Sequence, residues 1–87
     1  MKIGNNLFAI QYYGESNTGL DGEYSERPKW LDMVIVEDKD ETRIKLKDKQ
    51  VVLHPNDWFI YEEDIQYKKI NIIEVISDEQ FKQKYSL

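Results

Sequence analysis

The stretch Lys69–Tyr85, KINIIEVISDEQFKQKY, decides the fold. Its first half, Lys69–Ile76, is dense in β-branched residues and reads as a strand. Being apolar on both faces, it is predicted to be central in its sheet, or bulged near Ile72 and Ile73. Ser77 then changes the pattern. With Gln80 it matches a capping box, and Ile76 with Phe81 matches the accompanying hydrophobic staple. Phe81 and Tyr85 lie four apart, so they share one face of a C-terminal helix that packs onto the sheet.

Working outward, the next segment upstream is Trp58–Tyr61 (WFIY), a strand set between a turn at Pro55-Asn56-Asp57 and a second turn predicted at Glu62–Asp64. Trp58 and Ile60 alternate with Phe59 and Tyr61, so both faces carry apolar area. One face is core; the other is either covered by a helix or left as a patch that binds a partner. Thr42–Lys49 alternates too. Ile44 and Leu46 face one way, and Arg43, Lys45, Lys47 and Lys49 the other, as in a half-buried strand with a basic outer face. A turn at Lys47–Gln50 leads into a further strand beginning at Val51–Leu53.

The N-terminal half is less regular. Leu7–Tyr13 is rich in strand-formers and ends at Gly14, and Glu15–Glu26 reads as a loop. Pro28 suits the first position of a short helix, where its missing N–H is not needed. Trp30, Leu31, Val34 and Ile35 then fall on one helical face, although Arg27 is a poor cap. Glu37–Glu41 is a charged loop. The expected fold is α+β: about five mostly antiparallel strands forming a small twisted sheet or partly open barrel, with one short internal helix and one C-terminal helix. The short turns favour antiparallel pairing.

The 87 residues allow one domain, 1–87, and its stability rests on apolar residues, 13% of the chain being aromatic. There is no cysteine, which removes disulfides, thiol catalysis and thiolate metal sites together. A reducing, cytoplasmic setting is expected. The start, MKIGNNLFAIQ, is not read as a secretory signal, because Asn5 and Asn6 interrupt it, and no apolar run is long enough for a membrane span. The net charge of -5 weighs against general nucleic-acid binding, which needs cations, and suits a basic protein partner.

Catalytic signatures are lacking. His54 is the single histidine and reads as a rim residue beside Pro55. Asp38-x-Asp40-x-Thr42 begins like a calcium loop, but Arg43 stands where the turn glycine belongs and Lys49 where the bidentate glutamate belongs. The four glycines form no phosphate cradle. No cofactor, metal site or catalytic residue is expected, and the chain is read as a non-enzyme. Two surfaces stand out instead. The first joins Tyr12, Tyr13 and Tyr24 with the acidic groups Glu37, Asp38, Asp40, Glu41 and Glu62, Glu63, Asp64 as a partner-binding surface. The second is the ridge Arg43, Lys45, Lys47 and Lys49, which either tracks a phosphate backbone or guards an exposed strand against aggregation.

The order of motifs resembles that of a family of small bacteriophage and prophage proteins with no settled activity. They share a strand like Ala9-Ile10-Gln11-Tyr12-Tyr13-Gly14-Glu15 and a Pro-x-Trp helix, here Pro28-Lys29-Trp30-Leu31. A strand pair leads to a Gly-Asp-Trp/Tyr-Ile-Ile segment, here Pro55-Asn56-Asp57-Trp58-Phe59-Ile60, and a Phe-x-x-x-Tyr helix, here Phe81-Lys82-Gln83-Lys84-Tyr85, ends the pattern. Asn56 replaces the family's glycine and tolerates the same left-handed turn. The family's Gly-Glu-x-Tyr-Pro-Cys turn is replaced by Glu62–Lys69. The resemblance implies a phage protein in a bacterial host cell and carries no catalytic residues. The expected function is stoichiometric binding that modulates or inhibits a host protein with a basic surface, a defence or DNA-binding factor among the candidates. The alternative is a nucleic-acid or small-ligand binding module using the basic strand face.

Overall fold

The computed structural model describes residues 1–15, 22–38 and 40–85. In chain order they form β1 (Leu7–Glu15), β2 (Gly22–Tyr24), α1 (Leu31–Val34), β3 (Ile35–Glu37), β4 (Thr42–Lys45), β5 (Gln50–Leu53), β6 (Trp58–Asp64), β7 (Lys69–Ile76) and α2 (Asp78–Lys84). The class is α+β, as expected. The single sheet or barrel of about five strands is corrected to two antiparallel sheets. One has the order β2-β1-β6-β7, the other β3-β4-β5.

Both faces of the four-stranded sheet are covered, which explains why β1 and β6 have apolar residues at successive positions. Ile10, Tyr12, Phe59 and Tyr61 point toward the three-stranded sheet and form a core with Leu31, Ile44 and Leu53. Ala9 and Ile60 point the other way and are buried beneath Phe81 of α2. Register follows from this alternation: Ile10 pairs with Phe59, and Ala9 with Ile60. The helix, not a partner, covers the Trp58/Ile60 face.

Several boundaries differ from expectation. The predicted loop Glu15–Glu26 contains β2, whose Tyr24 pairs with Tyr12; positions 16–21 of that loop lie outside the described residues, as does position 39 of the Glu37–Glu41 loop. Gly22 is required at β2 because the Tyr12 ring comes within 2.8 Å of where a Cβ would sit. The helix after Pro28 is a single turn, Leu31–Val34, and Ile35 begins β3, paired with Ile44. The basic strand stops at Lys45. Glu62–Asp64 is strand, not turn, and the chain reverses over residues 65–68, with Lys68 in the left-handed region at φ 53°. β7 has the predicted bounds and the predicted bulge: Tyr61 pairs with Ile72 and Ile60 with Glu74, leaving Ile73 as the extra residue. It is an edge strand, however, not a central one. The Pro55-Asn56-Asp57 turn forms as expected, with Asn56 at φ 75°.

Candidate functional site

Of the three tyrosines proposed as contacts, only Tyr13 presents itself, at 47% exposure. Tyr12 is 3% exposed and its hydroxyl lies 3.1 Å from the Thr42 hydroxyl, so it belongs to the core. Tyr24 packs beside it with the rings tilted by 41° and their centroids 5.2 Å apart. Burial first, then the Glu37 carboxylate, pushes the Tyr24 hydroxyl pKa up.

The first acidic group is largely consumed by local structure. Glu37 accepts hydrogen bonds from the Gly22 N–H at 3.3 Å and the Tyr24 hydroxyl at 3.5 Å, which ties β2 to the other sheet. Asp38 pairs with the Arg43 guanidinium, and Glu41 lies 3.6 Å from its Nε. Asp40 is exposed. Asp40 and Glu41 line a cleft with Glu15, Thr42 and the exposed His54, whose Nδ1 is 3.5 Å from Asp57. The Asp57 carboxylate also accepts from the His54 N–H at 2.9 Å, so its role is to shape the turn.

The second acidic group is differently placed. Glu62 and Glu63 are exposed on β6, which is held on both sides by β1 and β7. Neither forms an ion pair among the described residues. Asp64 accepts from the N–H groups of Gln66 at 3.1 Å and Tyr67 at 3.2 Å, closing the reversal. The three carboxylates line a shallow cleft of about 380 Å³ with Asn6, Ile65, Gln66 and Asn71. The Tyr61 hydroxyl, on the same strand, has its pKa pushed up to about 12, by burial first and then by Glu26 and Glu63. The two acidic groups do not merge. Thr42 pairs with Leu53, just ahead of the start of β6, whereas Glu62–Asp64 is its far end.

The basic ridge comes apart. Arg43 is ion-paired, and Leu46–Lys49 is a turn closed by a 2.8 Å hydrogen bond from the Leu46 N–H to the Lys49 carbonyl. Lys45 and Lys47 remain together. They border a groove of about 360 Å³ between the sheets, lined by Val34, Leu46, Ile70 and Ile72, with Glu62 and Asn71 on its inner wall. Lys49 is exposed outside it. Sequence reading missed this groove, because its walls come from segments distant along the chain.

Among the described residues no three or more His, Cys, Asp or Glu side chains are grouped to hold a metal ion, and no helix is long and apolar enough to cross a membrane. No protein-family model, curated protein or solved structure matches the chain.

Proposed function

We propose that the chain acts by stoichiometric binding to a basic surface of another protein, with Glu62 and Glu63 as the contact ridge. One observation carries this reading: two adjacent carboxylates, turned to opposite faces of β6 but lining one cleft, stand exposed and without ion pairs among the described residues, on a strand fixed from both sides. A rigid ridge loses little side-chain and backbone freedom on binding, and complementary charge speeds encounter. The net charge of -5 acts in the same direction. The resemblance to small phage proteins supports a bacterial host protein as the partner and modulation or inhibition as the outcome. The nucleic-acid reading is the weaker one, since Asp38 and Glu41 already engage Arg43.

The test is capture from bacterial lysate with the wild-type chain, a Glu62→Lys/Glu63→Lys variant and an Asp40→Lys control. A stoichiometric partner should be retained by wild type and control, released by moderate salt, and lost with the double reversal. A partner held equally by all three, or no stoichiometric partner at all, defeats the proposal.

A further inference from the structure

The N-terminal half of β7 combines three features found together nowhere else among the described residues. It is a sheet edge. β7 pairs only with β6, and its outer backbone groups have no partner among the described residues. It borders the groove floored by Val34, Leu46, Ile70 and Ile72, all half-buried. Its outer rim is cationic: Lys45, Lys47, Lys68 and Lys69 are exposed, and none forms an ion pair among the described residues. Glu62 of β6 also lines the groove.

We propose that this margin docks an extended peptide segment of another protein, apolar at alternate positions and flanked by acidic residues, which adds to the sheet along Lys69–Ile72. Strand addition supplies backbone hydrogen bonds, and pockets for alternate side chains supply selectivity. Here the groove takes the inward apolar side chains, extending the layer formed by Ile70 and Ile72. The lysine rim favours acidic flanks by charge complementarity. The bulge at Ile73 bends and interrupts the edge, so pairing is confined to the half before it. A second copy of the chain is a poorer occupant. It would bring Lys69 to the lysine rim, and the acidic residue of its β7, Glu74, is already held by Lys84 and Tyr85. This surface meets the Glu62/Glu63 ridge at Glu62, which lines the groove, whereas Glu63 lies outside it.

The experiment uses the full chain and short fluorescein-labelled peptides of alternating valine and threonine, flanked by either acidic residues or lysines. Anisotropy should show saturable binding of the acidic-flanked peptide, at least about tenfold tighter than the lysine-flanked one. Lys45→Glu/Lys47→Glu should weaken the acidic-flanked complex by about tenfold or more, while Glu63→Lys, outside the groove, does not. Amide exchange at Ile70 and Ile72 should slow when that peptide is bound. The proposal is overturned if no peptide binds up to about 1 mM, or if affinity ignores both flank charge and the lysine reversal. It is equally overturned if the Ile70 and Ile72 amides become protected with rising protein concentration alone, since a second copy then fills the edge.

Discussion

The two faces of the four-stranded sheet are finished in opposite ways. On one, α2 closes the sheet with side-chain bonds at every turn. Phe81 stacks on Trp58 with centroids 3.9 Å apart and rings nearly parallel, and the Trp58 indole N–H donates to Asp78 at 2.9 Å. Glu74 accepts from Lys84 at 2.8 Å and from the Tyr85 hydroxyl at 3.0 Å. On the other face, the core between the sheets is sealed at its centre by Phe59, Ile10, Leu31 and Ile44 but ends in the open groove beside β7. There the lysines have no ion-pair partners among the described residues. Polar groups at the helix are spent on stability, and those at the groove and on the β6 ridge are available to something outside the chain.

The comparison breaks most easily at Phe81. Phe81→Ala is expected to cost about 3–5 kcal/mol, because a buried ring leaves a cavity and Trp58 loses its stacking partner. Leu46→Ala at the half-buried groove should cost only about 1 kcal/mol. Urea unfolding of both variants checks the contrast, and equal losses would erase it. Next in size, Ser77→Ala removes the capping box seen between Ser77 and Gln80, at about 1 kcal/mol on the same curves.

A smaller effect is expected from pH. The Asp78 carboxyl is held below its ordinary 3.8, first by the Trp58 N–H and then by Lys82. Glu74 is held below its ordinary 4.5, chiefly by the Lys84 ammonium and also by the Tyr85 hydroxyl. Both folded values are depressed, so the stabilisation is complete above about pH 4.5 and is lost as pH falls through the lowered values. Solvent screens both sites, so the slope is modest. Asp78→Asn with Glu74→Gln should flatten this acid limb in a denaturation series, and an unchanged limb would remove these two groups from the account. Smallest of all, Lys45→Glu/Lys47→Glu should shift stability by no more than about 0.5 kcal/mol, as surface changes do. A larger loss would show that the groove rim is structural after all.

How much of this was legible depended on whether the signal was local. The capping box, the Asn56 turn and the limits of β7 were readable because neighbouring residues supply their chemistry. β2 was not, since three residues form a strand only because β1 lies beside them, Tyr24 against Tyr12. Val34-Ile35-Val36 is a short apolar run that suits helix or strand, and pairing with β4 settles it as a helix end followed by a strand. Glu62–Asp64 looked like a turn by composition. Leu7 across one side of Glu62 and Asn71 across the other hold it in the sheet, and the reversal falls on residues with no glycine or proline to announce it. The acidic segment Glu62–Asp64 was therefore misjudged as a turn, and the structure places it at the end of β6. Tyr12 belongs to the core because the β1 alternation turns it inward, and the same alternation leaves Tyr13 exposed.

The most direct measurement is amide hydrogen exchange over the whole chain, alone and bound to the captured protein partner. Slower exchange is expected across Glu62–Asp64 on binding, with Phe81–Lys84 unchanged. Slowing confined to α2, with Glu62–Asp64 exchanging as in the isolated chain, would contradict the assignment of stability to the helix face and binding to the β6 ridge.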